Sequence, residues 1–88
     1  MNANSPQKTI ISQIIAKKTL KDKWGKDYLL LEIQNKEAIF VFAGKTDPKK
    51  WNKLEENKSY EFVVEEGNNG SNILVDFYGK EDEFEFLI

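Results

Sequence analysis

The chain has no cysteine, no histidine and no arginine, and only two prolines and five glycines among its 88 residues. The lack of cysteine excludes disulfides and thiol nucleophiles, and the lack of histidine excludes an imidazole base and nearly every zinc or haem site. Long apolar runs are missing too. None approaches the ~20 residues needed to span a bilayer, and Met1 to Lys8 lacks the apolar stretch of a signal peptide. A soluble, cytoplasmic protein without a membrane partner is expected.

What is present suffices for one domain, since a second core would have too little chain to close around. Hydrophobic residues are 40% and aromatic residues 12%, enough for a small core, while 32% charged residues make a wet surface. The net charge is only -2, but it is unevenly spread. Residues 1–58 hold twelve lysines against seven acids, a balance of +5; residues 59–88 hold one lysine against eight acids, a balance of -7. Such asymmetry points to a basic patch that meets a polyanion and an acidic end that meets something else or shields the patch. Ordinary solvated surface charge is the plainer reading.

Residues 1–8 are polar, with Pro6, and are expected to form a loose leader. Thr9 to Leu20 has helix-compatible spacing, yet its four isoleucines and two threonines favour a long first strand, either regular or bulged. Tyr28 to Ile33 is a second strand, Asn35 and Lys36 a tight turn, and Ala38 to Ala43 a third strand rich in β-branched and aromatic residues. Asp47 then caps a short helix with Pro48 at its first position, running to Glu56, with Trp51 and Leu54 facing the core. Tyr60 to Val64 is the fourth strand, Gly67 to Asn72 a loop, and Ile73 to Tyr78 the fifth strand, ended by Gly79. Three strands, a helix and two strands in this length form an all-β, five-stranded Greek-key barrel with one short helix between strands three and four.

The segments Ala38-Ile39-Phe40-Val41-Phe42-Ala43-Gly44-Lys45 and Trp51-Asn52-Lys53-Leu54-Glu55-Glu56-Asn57-Lys58-Ser59-Tyr60-Glu61-Phe62 resemble the centre of OB-fold domains of the replication protein A and single-stranded DNA-binding type. In those domains glycine usually follows the helix, where this chain has Asn57. The resemblance covers roughly residues 9–78 and implies an OB-fold barrel, here residues 9–79, a single-stranded DNA or RNA ligand, and a place in replication, recombination or repair. An accessory subunit that binds a polymerase, primase or helicase is the alternative, because OB folds also bind proteins.

The strongest candidate site is Lys17-Lys18-Thr19-Leu20-Lys21-Asp22-Lys23-Trp24-Gly25-Lys26, at the first-to-second strand loop that clasps nucleic acid in OB folds. Lys17, Lys18, Lys21, Lys23 and Lys26 would attract phosphates, and an exposed Trp24 would stack on a base; a Trp24 packed against the barrel end is the structural alternative. Without arginine, bidentate reading of guanine edges is not expected, so binding should ignore sequence. Alternation through Glu32 turns Tyr28 outward and Leu29, Leu31 and Ile33 inward. Ile39 and Val41 suit the core, which leaves Phe40 and Phe42 outside as a stacking platform, although a one-residue bulge would reverse that phase. Lys45 and Tyr78 are peripheral candidates, and Asp76 would turn both Leu74 and Tyr78 outward.

Gly44-Lys45-Thr46 shares the ending of a phosphate-binding P-loop, but that motif needs glycine where Ile39 stands. The pairs Glu65 and Glu66, and Glu81 and Glu83, have no apolar setting to shift a pKa, so they read as solvated charge rather than as catalysts. No enzyme and no cofactor is expected. Residues 80–88 are acidic first and apolar last. Glu81, Asp82, Glu83, Phe84, Phe86, Leu87 and Ile88 resemble the partner-recruiting tip of bacterial and phage single-stranded DNA-binding proteins. They read equally as one more strand, on this barrel or in a homo-oligomer, because Phe84, Phe86 and Ile88 alternate.

Overall fold

A computed structural model describes residues 6–80 of the chain. Five strands account for most of this span: β1 (Gln7–Lys21), β2 (Asp27–Ile33), β3 (Ala38–Phe42), β4 (Ser59–Glu66) and β5 (Asn72–Gly79). They close into a barrel in the order β1-β2-β3-β5-β4, with β4 returning to β1. All pairings are antiparallel except β3 with β5, which is parallel and short, at Ile39–Asn72 and Phe40–Ile73. Closure removes the open sheet edges that a flat five-stranded sheet would expose. Among the described residues no helix is long and apolar enough to cross a membrane.

The barrel interior is filled by the inward half of each alternating strand. Ile14, Leu29, Leu31, Ile33, Ile39, Val41, Phe62, Val64 and Leu74 are all buried, joined by Leu54 and Tyr60. Ile39 and Val41 thus take the core, and Phe40 and Phe42 face outward, as the alternation requires.

Strand β1 serves two neighbours. Its first half pairs with β4 and its second with β2, and the register shifts between Ile14 and Ala16. The extra residue is Ile15, which is exposed. Because side-chain direction alternates with period two, this bulge inverts the phase of everything after it. Lys18 and Leu20 turn out, opposite Leu30 and Tyr28, while Lys17 turns in, opposite Leu31. The strand also starts at Gln7, so Gln7 and Lys8 extend the barrel rather than a leader.

Two further expectations are corrected. The helix between β3 and β4 is a 3₁₀ helix over Pro48–Lys53 that stops before Glu56. Asp47 accepts from Lys49 N at its start, and Leu54 is already extended, its N–H bonded to Trp51 O. Leu54 leaves the helix to enter the core, and that demand ends the helix early. Secondly, Leu74 points inward, against the outward direction inferred from Asp76. The register moves from Val63–Asp76 to Val64–Leu74, so Val75 is an unmatched residue that flips the alternation between the two.

Tyr60 ties the segment after the helix to the barrel. Its hydroxyl donates to Lys53 O at 2.6 Å and accepts from Glu55 N at 2.8 Å. Asn57 follows with φ of 69°, in the left-handed region. That is why glycine suits this position, and asparagine is among the few other residues that tolerate it.

Candidate nucleic-acid interface

Directly opposed residues in a sheet send their side chains to one face, so the registers place the outer face of β1, β2 and β3 in rows. One row is Leu20, Tyr28 and Phe42; the next is Lys18, Leu30 and Phe40. Three rings meet here. Tyr28 lies 5.5 Å from Phe42 and 6.3 Å from Phe40, centroid to centroid, and the Phe40 and Phe42 planes are within 6° of parallel at 6.2 Å. Phe42 is 36% exposed, as is Leu20. The result is an apolar, ring-bearing surface facing solvent rather than core.

Beyond this face the β1–β2 ladder ends at Lys21–Asp27 and the chain turns through residues 22–26. Asp22 organises the turn. Its Oδ1 accepts from Trp24 N and Lys26 N, both at 2.9 Å, and its backbone pairs with Lys26 O and Gly25 N. Gly25 supplies the positive φ of 81° that the turn needs. Trp24 is held at the tip and is 74% exposed, so the packed alternative does not describe it. The Lys23 ammonium sits 4.6 Å from its ring centroid, a cation–π contact that covers one face of the indole. The chain's other tryptophan, Trp51, is partly buried and donates Nε1 to Thr46 O at 3.0 Å.

The lysines divide. Lys23 and Lys26 flank Trp24 on the turn. Lys18 pairs with Glu32 at 3.3 Å, Lys21 with Asp27 at 2.8 Å, and Lys45 with Glu65 at 2.9 Å. Lys17, turned inward by the bulge, donates its ammonium to Trp51 O at 2.8 Å, and its backbone N–H bonds Glu56 Oε2. It braces the 3₁₀ helix against β1 instead of joining the outer rows. Tyr78 is also apart from the three rings: it lies on β5 opposite Glu61 of β4. Its hydroxyl donates to Asp76 Oδ2 at 3.0 Å, and that bond, with the carboxylate's charge, raises the phenol above its ordinary pKa.

The site therefore unites Trp24, Lys23 and Lys26 at the hairpin tip with Tyr28, Phe40 and Phe42 on the adjoining face. Leu20 belongs to the same face and was not foreseen as part of it. Its signal was the hairpin register, in which Leu20 opposes Tyr28 once the bulge is counted. The tail candidates Glu81, Asp82, Glu83, Phe84, Phe86, Leu87 and Ile88 lie outside the described residues. Among the described residues, no group of three or more acidic side chains is arranged to hold a metal ion. Compared with known proteins, the sequence matches no family model and no curated protein.

Proposed function

We propose that this chain is an OB-fold module that binds single-stranded nucleic acid, DNA or RNA, without sequence preference, on the outer face of β1–β3 and the hairpin tip. The observation that carries this reading is the solvent-facing cluster of Tyr28, Phe40 and Phe42 beside the exposed Trp24. Aromatic rings left wet on a rigid sheet offer successive bases a stacking surface at about 1–3 kcal/mol per base, and stacking tolerates any base. Lysines beside them supply phosphate attraction but no bidentate fork, in keeping with indifference to sequence. The strand order β1-β2-β3-β5-β4 and a short helix between β3 and β4 support the OB assignment.

A second reading has its own support. Lys18, Lys21 and Lys45 already hold carboxylates, which leaves the aromatic face less cationic than its sequence suggests. An apolar face of that kind also suits a protein partner, as in an accessory subunit of a replication or recombination enzyme. Titrating the protein with oligo-dT and with a duplex of equal length, following Trp24 fluorescence, separates the two. Single-strand binding with quenching is expected; equal or absent binding to both ligands would leave the accessory role.

A further inference from the structure

A second open surface lies away from the three-ring face. Between the 3₁₀ helix and the β4–β5 pair runs a groove of about 970 Å³. Lys50, Lys53 and Lys58 stand along it and outnumber the two carboxylates there, Glu55 and Asp76, with Tyr60, Phe77 and Tyr78 also among its lining residues. Tyr60 and Phe77 pack edge to face, with centroids 5.9 Å apart, and belong to the core or press against it, so the floor is apolar and rigid. Lys58 leans on Glu55 at 3.4 Å. Lys50 and Lys53 have no ion-pair partner among the described residues.

Strand β5 ends at this groove. Ser59 and Gly79 both line it, and Lys80 is fixed beside them: its N–H donates to Ser59 O at 3.2 Å and its ammonium lies 3.6 Å from Glu61. Next in sequence comes Glu81-Asp82-Glu83-Phe84-Glu85-Phe86-Leu87-Ile88, four acids and four apolar residues. We propose that the groove is the docking site of the chain's own segment 81–88, whose acids meet the lysines and whose rings meet the apolar floor.

The composition of each side matches the other. In an extended chain, side chains alternate between faces, so Glu81, Glu83 and Glu85 share one face while Phe84, Phe86 and Ile88 share the opposite one. A strip charged on one side and apolar on the other complements a groove with a lysine rim and an aromatic floor. Eight extended residues reach roughly 25 Å, and Gly79, Lys50 and Lys53 line one and the same groove, so the segment starts within the groove whose lysines it would meet. Docking in cis also needs no loss of translational freedom, which favours this occupant over an acidic peptide from another molecule. The aromatic face then stays open with the tail in place.

The absence of native cysteine permits a clean test in the full chain. Asn52→Cys on the groove is combined with Leu87→Cys, and in a control chain Lys18→Cys on the aromatic face is combined with Leu87→Cys. Both reduced proteins are first checked for cooperative melting. Under mild oxidation at low protein concentration, the first pair should form an intramolecular disulfide several-fold faster than the second. Adding Lys50→Glu and Lys53→Glu should erase that advantage, and adding Glu81→Lys and Glu83→Lys to those should restore it. Equal rates for the two pairs, faster closure to position 18, or only disulfide-linked dimers would each overturn docking in the groove.

Discussion

Trp24 is the residue whose position departs most from what burial alone favours. A large indole, 74% exposed at a turn whose backbone Asp22 fixes, adds little to the fold and leaves one ring face open. Trp24→Ala should therefore weaken oligonucleotide binding by about 1–3 kcal/mol while the melting temperature hardly moves. Paired titration and thermal melts check this, and a large drop in melting with unchanged affinity would assign Trp24 to the fold instead. Asn57 is the opposite case, a residue whose importance is conformational. Its N–H bonds Ile14 O at 2.7 Å and its carbonyl accepts from Gln13 Nε2, and both bonds survive any side-chain change. At φ of 69° a Cβ without a polar group is strained, so Asn57→Ala should cost about 1 kcal/mol, whereas Asn57→Gly should be close to neutral. Urea denaturation of the three proteins measures the difference.

At the scale of elements, the strands were legible because apolar and polar residues alternate within them, and the 3₁₀ helix was legible in place because Asp47 and Pro48 mark its start. Its type and length were not: local spacing puts Leu54 on the core face of a longer helix, and that it reaches the core only by leaving the helix is a tertiary demand that such spacing does not carry. Bulges account for the other differences. Period-two reasoning correctly turned Phe40 and Phe42 outward on β3, a strand whose pairing with β2 is regular, and failed at Leu74, one residue before the unmatched Val75. The bulge at Ile15 likewise diverted Lys17 to Trp51 O and carried Leu20 onto the aromatic face, neither of which composition can reveal. The hairpin between β1 and β2 is the element most open to manipulation. Asp22→Ala removes two backbone-directed bonds at an exposed turn, which should cost about 1 kcal/mol of stability and loosen Trp24. Oligonucleotide affinity should fall although no contacting side chain has changed, and hydrogen exchange at the Trp24 and Lys26 amides should rise. Unchanged exchange would mean that Asp22 does not hold the turn.

Over the whole molecule, charge decides how far lysine number can be taken as a guide to polyanion binding. Of the lysines assigned to the interface by sequence, Lys18, Lys21 and Lys45 already face Glu32, Asp27 and Glu65, and Lys17 is spent on a backbone carbonyl. A paired lysine must give up its carboxylate to take a phosphate, so its net gain is small. Lys23 and Lys26 remain at the tip beside the exposed indole. Each phosphate neutralised on a single strand contributes about -0.7 to the slope of log affinity against log salt. Two engaged lysines predict a slope of about -1.4, whereas all six assigned lysines would predict about -4. Titrations of oligo-dT between low and moderate salt distinguish these values readily. A shallow slope with Trp24 quenching means that binding rests chiefly on stacking, and Lys23→Ala with Lys26→Ala should then remove nearly all of the salt dependence. A steep slope would instead mean that the internal ion pairs open on binding, and Glu32→Gln or Asp27→Asn should then strengthen the complex by freeing the lysine each one holds.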